Sequence, residues 1–143
     1  MSDLKSLIDE FLNKNFSVAV VGASTNPEKW GYKLYKFFKE AGFRKVYAIN
    51  PNAERINGDR VYPSISSLPE VPDVVDLVVR PEVSEKVVEE CIKVGVKRIW
   101  FQPGSDSERA IELCKKAGIK FVHGACMMEE GKKKGIDKPV FKV

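Results

Sequence analysis

The feature that most constrains this chain is a repeated alternation between short unbroken apolar runs and longer segments with helical apolar spacing. SVAVVG, VYAIN at 46–50, DVVDLVV at 73–79, RIWF and KFVH read as five strands. Strands that are apolar throughout are covered on both faces, as in a parallel sheet between helix layers. The intervening segments have the 3.6-residue period of amphipathic helices. Trp30, Leu34, Phe37, Phe38 and Ala41 share one face, and so do Val83, Val87, Val88, Cys91 and Ile92. Ala110, Ile111, Cys114 and Ala117 make a third stripe. Gly42, Gly95 and Gly118 stand where a left-handed residue would end each helix. An earlier helix, carrying Leu4, Leu7, Ile8, Phe11 and Leu12 and capped by Ser2 or Asp3, precedes the first strand and is expected to pack on one face.

The pattern predicts an α/β fold: a doubly wound, five-stranded, mainly parallel sheet of Rossmann-like type, with helices on both faces. Right-handed crossovers favour the strand order 3-2-1-4-5. Residues 51–72 read as an irregular connection, with a tight turn at Asn57-Gly58 and a short helical turn near Ser64 to Leu68.

With 143 residues, the chain is expected to form a single domain, 1–143. Its 24 basic and 20 acidic residues leave a net charge of +4. Residues 132–143 hold five lysines and one aspartate, so a basic C-terminal tail carries the whole excess. A balanced body argues against a nucleic-acid face. No run approaches the ~18 apolar residues of a membrane span. MSDLKSLIDEFL lacks a secretory apolar core, so a cytoplasmic location and no membrane partner are expected. Three cysteines without CxxC spacing support neither a disulfide framework nor a zinc site, and no metal is expected. Cys91 and Cys114 fall on helix faces as small core residues, while Cys126 lies in the loop-like run HGACMM.

Ligands of such sheets bind beyond the carboxyl ends of the strands. The candidate loops are Gly22-Ala23-Ser24-Thr25, Asn50-Pro51, Arg80-Pro81, Gln102-Pro103-Gly104-Ser105 and His123-Gly124-Ala125-Cys126. In the first, Gly22 follows a buried strand and Gly31 opens a helix, whose amides and dipole favour an anion such as a pyrophosphate. The plain alternative is a capped strand-to-helix turn with no ligand. The spacing is neither G-x-G-x-x-G nor a Walker A loop. Strand two ends in Asn50-Pro51 rather than in the acid that holds an NAD ribose, which disfavours a nicotinamide dehydrogenase.

GASTNPEKWGYKLYKFFKEAGF, VYAINPNAERINGDRVYPSISSLPE, VVDLVVRP, RIWFQPGSDSE and the late CMM together resemble the stand-alone CoA-binding domain proteins. These are related to the N-terminal domain of the succinyl-CoA synthetase alpha subunit and of ADP-forming acyl-CoA ligases. The resemblance covers roughly residues 12 to 130, and it implies a site for coenzyme A. Gly22, Ala23, Ser24 and Gly31 would wrap the CoA phosphates, with Tyr32 and Lys33 opening the helix and Trp30 in the core or pocket wall. Asn50 and Pro51 would border the adenosine. Val79, Arg80 and Pro81 would line the crevice beside the pantetheine arm or adenosine, and Gln102, Pro103 and Gly104 would close its other side.

Two phosphate-bearing groups on CoA need helix amides and a few cations, and Lys29, Lys33, Arg55 and Arg80 lie in suitable loops. The related synthetases use a phosphohistidine and a second domain, and neither is found in these residues. His123 is the one histidine, with no evident acid-base partner in the sequence, and no catalytic residue is assigned. The leading expectation is thus a protein that binds CoA or acyl-CoA without a complete catalytic set. Alternatives are thiol exchange or an acyl-CoA enzyme component through Cys126, docking with a separate ligase subunit, or a homo-oligomer joined through exposed Phe or Trp residues.

Overall fold

A computed structural model describes residues 3–138. The first helix, α1 (Leu4–Phe11), is capped by Asp3, whose carboxylate accepts from the Ser6 amide at 2.8 Å. Strands β1 (Ser17–Val21) and β2 (Lys45–Ile49) flank α2 (Trp30–Ala41). A hairpin of β3 (Arg55–Ile56) and β4 (Asp59–Tyr62) follows, then a 3₁₀ turn at Ile65–Ser67. The remainder is β5 (Val74–Leu77), α3 (Pro81–Val94), β6 (Arg98–Phe101), α4 (Glu108–Ala117), β7 (Lys120–Val122) and α5 (Met127–Lys134).

The sheet has seven strands in the order β3-β4-β2-β1-β5-β6-β7, parallel except for the β3–β4 hairpin. The α/β, Rossmann-like architecture stands, but the expected five strands and their order need correction. The 73–79 strand, expected third and beside strand two, instead pairs with β1 on its other flank, Val20 opposite Asp76. Its place beside β2 is taken by β4, within the segment read as irregular, with Ala48 opposite Val61. When β4 is counted as the third parallel strand, the order becomes the doubly wound 3-2-1-4-5-6. Only Val61 of the four β4 residues is buried, so this strand, covered on its outer side by the two residues of β3, lacks the continuous apolar run that marks the central ones. The tight turn at Asn57-Gly58 is present, both residues having positive φ (51° and 85°).

Alternate strand side chains feed two cores. One, under α1, α2 and α5, contains Phe11, Val18, Val20, Leu34, Phe38, Trp100 and Met127. The other, under α3 and α4, contains Val75, Leu77, Val88, Cys91, Ile99, Phe101 and Cys114. Gly42, Gly95 and Gly118 end α2, α3 and α4 in the left-handed conformation. The amphipathic α1 packs on one face as expected, and Glu10 pins it to the sheet by pairing with Arg98 at 2.6 Å and Lys120 at 3.0 Å.

The C-terminal region differs from a solvated tail. Lys132, Lys133 and Lys134 form the last turn of α5, and that helix buries Met127 and Gly131. A β-carbon on Gly131 would press on the Phe37 ring, so α5 lies close against α2. Residues 139–143 of the expected tail lie outside the described residues.

Candidate functional site

The order of the sheet reverses between β1 and β5, so the loops leaving these strands diverge and leave a crevice at their carboxyl ends. Two glycines set its shape. Gly22 has φ +96°, and a β-carbon there would collide with the Val78 carbonyl oxygen. A β-carbon on Gly31 would collide with the Gly22 carbonyl oxygen. Three backbones therefore stack directly, and the start of α2 is drawn down onto the sheet edge. The glycines serve this protein-to-protein contact, a role distinct from the ligand approach read from sequence.

Other side chains hold the first loop. Gly22 and Ala23 donate their amides to the Ile49 carbonyl, and Ala23 is fully buried. Asn50 Nδ2 donates to the Ala23 carbonyl at 2.8 Å, and Asn50 Oδ1 accepts from the Asn52 amide at 2.8 Å. Asn50 is thus a brace between two loops, with Pro51 exposed beside it. Ser24 Oγ accepts from the Asn26 amide at 3.0 Å. The loop delivers the chain to α2, whose first turn contains no acid. The amides of Trp30 and Gly31 have no acceptor among the described residues, as expected of a helix start. Lys29 is the N-cap residue, and the Lys33 ammonium lies 4.9 Å from the centre of the Trp30 ring.

Beside this turn is a crevice of about 300 Å³. Trp30, Val78, Pro103 and Cys126 form its apolar walls, and Gln102, Ser105 and Glu129 add polar groups. Gln102 is 5% exposed and caps α5, its Oε1 accepting from the Met127 amide at 3.0 Å. Ser105 Oγ accepts from the Val79 amide at 3.2 Å, tying the loops after β5 and β6 together. Trp100, in the row below, donates its indole N–H to the Ala125 carbonyl at 2.8 Å. The same sheet row holds Asp76, fully buried between Val20 and Trp100. Neither of its carboxylate oxygens has a partner among the described residues, and burial raises its pKa well above the ordinary 3.8.

Most of the residues singled out from sequence lie in the loops at this carboxyl edge, yet they do not converge on one point. Trp30, Gln102 and Pro103 line the crevice, and Gly22 packs against its Val78 wall with Gly31 stacked on Gly22. Gly104 has φ +88° in the turn after β6. Tyr32 and Lys33 face a separate hollow of about 390 Å³ between α2 and α5, with Lys36 and Lys132. Arg80 is the N-cap residue of α3, 83% exposed, and pairs with Glu82 at 3.3 Å. Pro81 is the first residue of that helix, a position where its missing N–H costs nothing. Arg55 Nη1 donates to Gly58 O in the hairpin, away from the crevice walls.

Val78 and Glu129 belong to the crevice but were not singled out from sequence. Val78 was hidden by treating the strand as running to Val79, whereas β5 ends at Leu77. Glu129 lies in the first turn of α5, next to Glu130. Its signal was the first-turn position that a helix starting right after Cys126 would give it.

The cysteines divide as expected. Burial pushes the Cys91 thiol far up and the Cys114 thiol up to about 12. Cys126, 7% exposed, is the one on the crevice wall, at the N-cap of α5. His123 is exposed, stacks on Phe121 and stands 3.6 Å from Asp106, a partner the sequence did not reveal. Among the described residues, no helix is long and apolar enough to cross a membrane.

Known proteins resemble this chain in sequence and fold. The chain is 29% identical over 131 residues to the acetate–CoA ligase [ADP-forming] II subunit alpha of Pyrococcus furiosus, covering 85% of this chain and 28% of that subunit. It therefore spans little more than a quarter of that ligase subunit. It is 26% identical over 123 residues to the uncharacterized protein YneT of Bacillus subtilis, covering 86% of this chain and 90% of that protein. A solved structure of a conserved hypothetical protein from Pyrococcus furiosus superposes with a TM-score of 0.77 at 40% identity, over 80% of this chain and 98% of that one. The CoA binding domain family model matches residues 16–132, a span that runs from β1 through the crevice loops into α5. With that match over most of its length, the chain belongs to the CoA binding domain family.

Proposed function

We propose that this protein binds coenzyme A or an acyl-CoA, with the diphosphate at the first turn of α2. The observation that carries the reading is the continuity between that turn and the crevice. The free amides of Trp30 and Gly31, with Lys29 and Lys33 nearby and no acid in the turn, suit an anion. Trp30, in the same turn, is also a wall of the apolar crevice. The first turn of α5 is acidic, with Glu129 and Glu130. A ligand with an anionic head and a thin neutral tail matches this polarity in one direction only, head at α2 and tail toward α5. The adenosine then lies along Asn50 and Pro51, and the pantetheine arm passes over Val79 toward Gln102, Pro103 and Gly104. Family membership and the acetate–CoA ligase relatives support CoA as the nucleotide.

On this reading the chain is a binding unit without a complete catalytic set. Kinship to a ligase alpha subunit is consistent with a partner subunit that supplies chemistry. Isothermal titration with CoA, dephospho-CoA, NAD and ATP tests the proposal. Binding of CoA that exceeds binding of NAD is expected; tight NAD binding with no heat from CoA would overturn it.

A second reading is favoured by the position of Cys126 on the crevice wall. Offered CoA disulfide, the Cys126 thiolate attacks one sulfur and a Cys126–CoA disulfide forms. The original S–S bond breaks, CoA leaves as its thiolate, and the cysteine proton passes to solvent. Intact-mass analysis after this treatment should show one added CoA that is absent in Cys126→Ser. An unmodified protein removes the reading.

A further inference from the structure

The polar groups of the crevice are unequally committed. Ser105 Oγ holds the Val79 amide. Gln102 Oε1 holds the Met127 amide, which fixes the orientation of its side-chain amide. Its Nε2 has no acceptor among the described residues, although the side chain is almost wholly buried. Nor is Nε2 among the sealed polar atoms without partners, which are the Asp76 carboxylate oxygens and Ser84 Oγ. It is therefore a donor open to the crevice, and an unmet donor in such a place favours any ligand that brings a carbonyl oxygen. Around it, Trp30, Val78, Pro103 and Cys126 offer apolar surface. Glu129 adds a carboxylate that makes no ion pair among the described residues, whereas its neighbour Glu130 is paired with Lys133 at 3.1 Å.

We propose that this crevice receives the acyl end of a thioester and selects for uncharged acyl groups. Gln102 Nε2 donates to the thioester carbonyl, and the apolar walls take a short acyl chain. Glu129 turns away acyl groups that end in a carboxylate, because two like charges at a partly desolvated mouth repel. The selection rests on the CoA reading above and adds to it a ligand class: short neutral acyl-CoA in preference to dicarboxylic acyl-CoA.

The test is titration of CoA, acetyl-CoA and succinyl-CoA against the full chain and against Glu129→Gln and Glu129→Lys, substitutions at an exposed position. In the unaltered protein, acetyl-CoA should bind about tenfold more tightly than succinyl-CoA. That ratio should fall toward unity in Glu129→Gln and invert in Glu129→Lys. Gln102→Met should erase the advantage of acetyl-CoA over CoA; if that variant does not fold, the Glu129 series decides alone. CoA binding with equal affinity for the two thioesters, or a ratio untouched by Glu129→Gln, would overturn the selection and leave the CoA reading standing. If neither CoA nor either thioester binds, both fall.

Discussion

At the residue scale, Gly31 has little freedom to change. Its Cα hydrogen lies against the Gly22 carbonyl, and alanine must push the start of α2 off the sheet. Gly31→Ala is expected to cost about 1–3 kcal/mol, in the range of other overpacking substitutions. Because the displaced turn also bears the free amides, CoA affinity should drop further than stability explains; denaturant melts and titration read the two effects. Asp76 gives a second prediction. Its folded pKa is raised by burial, so the native state holds a proton that the unfolded chain releases above about pH 4. Its contribution is greatest below the unfolded pKa and declines as pH rises through the interval to the folded value. Asp76→Asn removes this dependence. Relative to the unaltered protein, the variant should therefore become progressively more stable between pH 4 and 8, as followed by urea unfolding. A difference constant with pH would show that Asp76 finds a partner for its charge.

At the element scale, what could be read from the sequence followed from how the residues are buried. β1 is buried at every position and announced itself as an apolar run. β4 buries only Val61, and the Asp59-Arg60 pair beside it made the segment look like a connection. Missing that strand displaced β5 by one place and put it on the wrong flank of β1. The site was legible as a set of loop addresses, because parallel strands place all their carboxyl ends at one edge. The crevice itself was not, since it depends on α5. M-M-E-E-G-K-K-K has too few apolar residues to reveal a packed helix, and nothing local shows that Gln102 caps it or that Gly131 seats against Phe37. The sequence was clearer for α1, and a prediction follows there. Arg98 and Lys120 hold the Glu10 carboxyl below its usual range, so its contribution is present at neutral pH and is lost as pH falls through the folded value. Glu10→Gln should lower stability by about 1 kcal/mol and speed amide exchange in α1 more than in α2. Uniform exchange across both helices would show that α1 is held by its apolar face alone.

At the scale of the whole molecule, charge and shape point the same way. Two helix N-termini face one carboxyl edge, one with lysines and free amides and the other with two glutamates. Between them runs an apolar crevice. The fold gains this asymmetry by bringing α5 back across the sheet to pack beside α2, on the face opposite α3 and α4. A long ligand charged at one end can use both helix starts at once, which a nucleotide without an arm cannot. Affinity for CoA should therefore exceed that for ADP, and, with the diphosphate proposed at the α2 amides beside exposed lysines, it should weaken with salt.

The most direct measurement is a crystal structure of the protein grown with CoA. Diphosphate oxygens should lie within hydrogen-bonding distance of the Trp30 and Gly31 amides, with the arm directed toward Gln102. A diphosphate bound at another edge of the sheet, or an arm that leaves the α2 turn away from Gln102, would contradict this placement.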